Sequence, residues 1–176
     1  MIFTRTSFPD VWIIEPEKLQ DERGFFARAW CENEMRSHGL NTALVQCNIS
    51  FSHRKGTLRG LHYQAFPHAE VKLIRCTRGA IYDVVVDLRP ESPTFKKWMS
   101  VELTADNYKI LYIPVGCAHG FQTLSDDAEV FYQMSEFHHP ECAGGVRWDD
   151  PTFSIRWPLD VTVISEKDLC WPDFTV

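Results

Sequence analysis

No apolar run in this sequence of 176 residues approaches the roughly 20 that a membrane-crossing helix needs. Met1 to Pro9 also lacks the apolar stretch of a secretory signal. A cytoplasmic protein with no membrane partner is the expectation. The six cysteines, Cys31, Cys47, Cys76, Cys117, Cys142 and Cys170, include no CxxC pair. Their wide, irregular spacing fits neither a zinc site nor a compact disulfide framework, so reduced and mostly buried thiols are expected. Repeats, low-complexity tracts and linkers are missing, and 1–176 reads as one domain. The formal charge of −6 argues against nucleic acid as a partner. Local Arg and Lys still leave room for a small anionic ligand.

What is present points to β structure. Apolar residues make up 44% and aromatics 13%, enough for a sizeable packed core. Val11–Ile14, Leu44–Phe51, Ala80–Leu88, Trp98–Leu103, Lys109–Ile113, His119–Thr123 and Glu129–Met134 read as strands, rich in Val, Ile, Tyr and Phe. Gly79, Ser92-Pro93, Asp106-Asn107 and Pro114-Val115-Gly116 supply the turns. Glu32–His38 reads as a short helix stopped by Gly39. Many short strands at this spacing predict an all-β protein, and a jelly-roll sandwich with a cavity between its sheets fits best. In Ala80–Leu88, alternation puts Ala80, Tyr82, Val84, Val86 and Leu88 on one packable face. Ile81, Asp83, Val85 and Asp87 share the other, which must meet solvent or a polar cavity.

Several residues have the chemistry of a proton-transfer site. Gly56 to Gln64 (GTLRGLHYQ) combines glycine, a cation and an imidazole. Imidazole titrates near about 6.5 when unperturbed, so His62 is a natural proton acceptor at neutral pH. Arg59 offers the planar fork that grips phosphate oxygens. Strict alternation places the two on opposite faces, so a shared site requires a bulge or bend at Gly60. Lys72 is suited to a developing oxyanion if it faces a cavity. Tyr132 shares a face with Val130 and Met134, and its phenol suits a proton donor. The competing readings are a structural histidine, an exposed lysine and a core tyrosine. His62 and His119 are also candidate metal ligands. No HxH pair stands near a downstream Glu, however, and the adjacent His138 and His139 point apart in a strand. No metal is expected.

In order along the chain come Asp21 to Phe26 (DERGFF), Gly56 to Gln64, Asp83 to Arg89 followed by Ser92-Pro93-Thr94, Tyr112 to Phe121, Arg147 to Pro151 and Ser165 to Asp168. Together they resemble the dTDP-4-dehydrorhamnose 3,5-epimerase family from about residue 3 to residue 172. The resemblance implies a cupin-type jelly roll with a few short helices, no metal and no cofactor. It implies epimerisation at C3 and/or C5 of a nucleotide-diphosphate 4-keto-6-deoxy sugar through an enolate. It further implies His62 as base, Asp168 as its orienting partner, Tyr132 as acid, and Lys72 at the enolate oxygen. Arg23, Phe26, Gln46, Asn48, Arg59, His119 and Lys167 match substrate-binding positions. Arg23 and its neighbours would come from the partner subunit of a homodimer whose exchanged strands complete each site. By analogy with the His62–Asp168 pair, Asp83 is expected to orient His119.

Three positions depart from the family pattern. Arg28 stands where the family has a thymine-contacting Glu, His138 where it has a base-stacking aromatic, and Ala143 where it has a substrate-contacting Glu. All lie at nucleotide-handling positions, and Arg28 and His138 remain candidate substrate contacts. One alternative is therefore a retained chemistry on another nucleotide, such as CDP. A second is inversion at a single carbon. A 4-keto-sugar isomerase, a metal-dependent cupin oxygenase and a non-catalytic sugar-nucleotide binder are further readings. Comparing turnover of matched dTDP- and CDP-linked 4-keto sugars tests the first alternative, which a clear preference for dTDP refutes.

Overall fold

The computed structural model describes residues 1–175. Its strands are β1 (Ile2–Arg5), β2 (Trp12–Glu15), β3 (Leu19–Asp21), β4 (Gly24–Phe26), β5 (Gln46–Ser52), β6 (Leu58–Gln64) and β7 (Lys72–Arg78). They continue as β8 (Ala80–Asp87), β9 (Trp98–Thr104), β10 (Ile110–Ile113), β11 (Cys117–Thr123), β12 (Ala128–Met134) and β13 (Ala143–Gly145). Helix α1 spans Glu32–Ser37 and helix α2 spans Glu166–Leu169. One sheet has the order β1-β2-β10-β7-β12-β5, the other β13-β6-β11-β8-β9. Apart from the β8–β9 hairpin, the chain from β5 to β12 changes sheet at every strand. All sheet pairings are antiparallel. This is a jelly roll, with β3 and β4 forming a separate hairpin.

The two sheets face each other across a shared apolar core. Ile74, Cys76, Leu111, Ile113 and Val130 from the first pack on Ile81, Val85, Leu103, Cys117 and Phe121 from the second. The outer face of the second sheet is covered as well. Leu61, Val84, Val86 and Ala118 pack there against Val146 and Phe153 of the C-terminal region. On the outer face of the first sheet, Met35 of α1 joins Trp12, Ile14, Leu73 and Tyr112. The acidic first turn of α1 complements the helix dipole, and Gly39 beyond its end adopts φ +73°.

The expected strands appear with ends shifted by a residue or two. Strands β1, β3, β4, β6, β7 and β13 and helix α2 lie outside the expected set. In β8, both faces are buried, and the one carrying Asp83 and Asp87 looks into the sandwich rather than to solvent. The expectation of mostly buried cysteines needs correction. Only Cys76 and Cys117 are buried, whereas Cys47 and Cys170 are exposed and all six are free. Burial pushes the Cys76 thiol up to about 11 and the Cys117 thiol up to about 12, so neither is a thiolate at neutral pH.

Asp87 ends β8 by gathering the next turn around itself. Its carboxylate accepts from Arg89 Nε at 2.9 Å, Ser92 Oγ at 2.6 Å and Thr94 Oγ1 at 2.6 Å. Burial alone would raise its pKa, but these donors outweigh it and hold the group at about 2. A depressed carboxyl stabilises the fold above its unfolded value of about 4, and that contribution vanishes as pH falls toward 2. Replacing Asp87 with Asn removes roughly 2 kcal/mol at pH 7. In urea titrations, the stability gap between wild type and D87N is expected to close progressively from pH 5 to pH 2.

Candidate active site

Between the sheets lies a cavity of about 420 Å³ lined by Arg59, His62, Lys72, His119, Tyr132, Lys167 and Asp168, with Ser50, Ile74, Phe121 and Val130 among the other walls. A second cavity of about 350 Å³ shares His62, Lys72, Tyr132 and Lys167, and adds Gln46, Asn48, Glu70 and His138. The two form one continuous cleft of a size suited to an extended small ligand. Alternation fills the first sheet's wall: Gln46, Asn48 and Ser50 of β5, Val130 and Tyr132 of β12, and Lys72 and Ile74 of β7 point inward.

The second sheet supplies the opposing wall through a bulge. His119 of β11 is the register partner of His62 in β6, but Phe121 pairs with Arg59, so Gly60 and Leu61 together face Gly120. Gly60 adopts φ +125°, and a Cβ there would lie 2.5 Å from Gly120 Cα. Only glycine combines this conformation with this approach. The extra residue turns Leu61 to the outer core and brings Arg59 and His62 to the same cavity. Arg59 is anchored by its Nε, which donates to Ser52 Oγ at 3.1 Å, and its Nη2, which donates to Phe51 O at 2.9 Å.

The C-terminal segment closes the cavity floor. Val163 bridges to Thr57 and accepts from Leu58 N at 2.8 Å, which lays this segment along the start of β6. Ser165 then caps α2, its Oγ accepting from Asp168 N at 3.1 Å. Asp168 is thereby aimed at β6. Its Oδ1 lies 2.6 Å from His62 Nε2, and its Oδ2 accepts from Gly60 N at 3.2 Å. Burial alone would raise the Asp168 carboxyl, but His62, Gly60 N–H and Ser165 together hold it below the usual carboxylate range. Trp171 packs edge-on to the His62 ring at 6.3 Å, and Lys167 Nζ sits 5.6 Å from the Trp171 ring centre.

A second imidazole–carboxylate pair stands beside the first. His119 Nε2 lies 2.8 Å from Asp83 Oδ2. Complete burial raises the Asp83 carboxyl despite the opposing pull of His119 and Lys72. Lys72 Nζ pairs with Glu70 Oε1 at 2.9 Å, and both side chains are nearly buried. The Tyr132 phenol is raised above its ordinary value by burial and by the nearby charge of Glu70, with Arg59 opposing. It therefore carries its proton at neutral pH.

The sequence-predicted residues divide into three groups. His62, Asp168, Tyr132, Lys72, Arg59, His119 and Lys167 converge on the main cavity, with Asp83 behind His119. Gln46, Asn48 and His138 line its extension. Arg23, Phe26 and Arg28 lie elsewhere within this chain. Arg23 pairs with Asp21 on the exposed β3–β4 hairpin, Phe26 is 72% exposed, and Arg28 pairs with Glu34. Sequence reasoning passed over Glu70 and Trp171. Glu70 stands two residues before Lys72, a spacing too common in strands to mark an ion pair, and nothing local to Trp171 signals contact with His62.

Comparison with known proteins follows the same outline. A family model for dTDP-4-dehydrorhamnose 3,5-epimerase matches residues 5–175. The chain is 44% identical over 173 residues to dTDP-4-dehydrorhamnose 3,5-epimerase of Sinorhizobium fredii, covering 98% of this chain and 89% of that one. It superposes with a TM-score of 0.95 on the crystal structure of the enzyme of that name from Elizabethkingia anophelis, at 42% identity over 99% and 96% of the two chains. The Bacillus anthracis enzyme of that name, solved with TDP and PPi bound, gives 0.94 at 41% identity over 98% and 99%. The cavity's own electrostatics can be tested without substrate. The tyrosinate absorbance that wild type shows and Y132F lacks is expected to titrate above the ordinary tyrosine value of about 10. E70Q should lower it, because removing a negative neighbour eases ionisation.

Proposed function

The chain belongs to the dTDP-4-dehydrorhamnose 3,5-epimerase family, and we propose that it is an isomerase of deoxysugar biosynthesis that inverts C3 and C5 of a dTDP-linked 4-keto-6-deoxy hexose. The observation that carries this reading is a single cavity onto which His62 opens from one sheet and Tyr132 from the facing sheet. Membership favours dTDP over CDP despite Arg28, His138 and Ala143, since relatives matched over nearly the whole chain carry the dTDP name.

The chemistry follows from the placement of each group. A carbonyl at C4 makes the hydrogens on C3 and C5 acidic. Because Asp168 holds His62 Nε2, the Nδ1 atom is the one that takes the proton. The C–H electron pair becomes the enolate double bond, and charge moves to the C4 oxygen. Lys72 Nζ lies in the same cavity to receive that oxygen. Tyr132 then delivers its phenolic proton from the opposite face, which inverts the carbon. The phenolate regains a proton and His62 releases one to solvent before the next carbon reacts. Arg59, His119 and Lys167 contact the sugar diphosphate, while Gln46, Asn48 and His138 extend the cleft toward the base.

The same proposal includes a homodimer. The β3–β4 hairpin exposes Leu19, Phe25 and Phe26, and β5, at the free edge of its sheet, exposes Ile49. Exchange of these hairpins would cover that apolar surface and carry Arg23, Phe26 and Arg28 to the partner's cleft. Light scattering should give a dimer, and F26A should raise KM far more than it lowers kcat.

Two variants separate the roles of base and acid. H62N should lose roughly 10²–10⁴-fold in kcat while still binding dTDP. Y132F should lose inversion but still exchange deuterium from heavy water into the substrate, because the base still forms the enolate. Wild type should carry deuterium at C3 and C5 with both configurations changed. Label at one carbon only would assign single-carbon epimerisation, and exchange persisting in H62N would remove His62 as base.

A further inference from the structure

His138 and His139 diverge, as adjacent residues in extended chain must, and only His138 faces the cleft. His139 instead meets His68, whose ring stacks on it with centroids 3.5 Å apart and planes 8° from parallel. Glu136 completes the cluster, its Oε2 lying 3.9 Å from His68 Nδ1. One ligand atom from each of the three falls within 4.8 Å of the others. All three side chains are half-buried, so an ion can reach them from solvent.

The backbone beneath this cluster is fixed by one side chain. Gln64, buried at the end of β6, donates from Nε2 to His68 O at 2.5 Å and to Phe137 O at 2.9 Å. Its Oε1 accepts from His139 N at 2.8 Å. A single amide therefore clamps both loops that carry the three side chains. Glu141 Oε1 lies 3.0 Å from His139 Nδ1, which leaves Nε2 as that ring's free nitrogen. An outer carboxylate on a ligating imidazole is a recurrent feature of metal sites, because it fixes the ring and raises its basicity.

We propose that His68, Glu136 and His139 bind a divalent transition-metal ion of the zinc class, with Glu141 as outer partner of His139. Ligand atoms around tetrahedral zinc stand about 3.4 Å apart, so binding needs these atoms to approach by up to about 1.4 Å and the two stacked rings to rotate until their in-plane lone pairs converge. Two imidazoles and one carboxylate select zinc, cobalt or nickel over calcium and magnesium, which prefer oxygen alone. The fourth position is left to water. The ion takes no part in proton transfer, and the site stands independently of the epimerase reading. Its effect is on the β12–β13 connection, which it ties to the loop after β6, holding the neighbouring His138 at the rim of the cleft.

The test uses untagged full-length protein, stripped with EDTA and dialysed. Calorimetric titration with Zn²⁺ should show one ion per chain, and Co²⁺ should develop visible absorption without thiolate charge-transfer bands. H68A, H139A and E136Q should each weaken Zn²⁺ binding by at least about tenfold while keeping the wild-type melting temperature in EDTA. H68Q and H139Q serve if an alanine variant fails to fold. Absence of saturable binding, binding unchanged in the folded histidine variants, or a thiolate band assigning the ion to cysteine would each overturn the proposal.

Discussion

The Asp168 carboxylate joins three parts of the molecule that are otherwise unrelated. One oxygen holds the His62 ring and the other holds the Gly60 amide at the bulge. The carboxylate itself is aimed by a capped turn of helix near the end of the chain. Remove this contact and the ring loses its orientation, the bulge loses a backbone partner, and the C-terminal segment keeps only its more distant attachments at Leu159, Thr162 and Val163. A buried charge is tolerated only where hydrogen bonds replace water, and Asp168 has such replacements on both oxygens.

The rest of the cleft follows the same rule less completely. Lys72 is paired through Glu70 Oε1, and His119 through Asp83 Oδ2. Among the described residues, Glu70 Oε2 and Asp83 Oδ1 are buried with no hydrogen-bond partner. Polar groups left unsatisfied in a low-dielectric interior lower the stability of the fold. The apolar layers on both sides of the second sheet offset that cost. Stability and reactivity thus occupy the same strands, with alternate residues serving each.

Most of the sandwich was legible because strands such as β8 and β10 are dense in Val, Ile, Leu and Tyr and end at Gly, Pro or Asn. The β6 strand was harder, since its bulge breaks the two-residue period on which strand reading relies. Strand β7 hides behind Lys72, Arg75 and Arg78, although its sheet position is central. Within the cleft, motif order pointed to His62, Tyr132, Lys72 and Asp168, but spacing could not place Asp168 against residues 106 and 108 positions earlier. The pairing of His119 with Asp83 was legible by analogy, and the register shows its origin: Asp83 faces Phe121 across β8 and β11, two residues along from His119. Position 28 was legible as a departure, but a single chain does not bring it near the cleft.

The dependence on α2 also has a temporal side. His62 and Tyr132 are brought face to face when β6, β7 and β12 pair, yet the imidazole is unsteadied until residues 163–168 arrive. Contacts of such long sequence separation form late, because loop closure must precede any gain from them. A sandwich formed without that segment would hold an idle histidine. Recovery of turnover therefore reports the docking of the last segment, whereas far-ultraviolet dichroism reports the sheets alone.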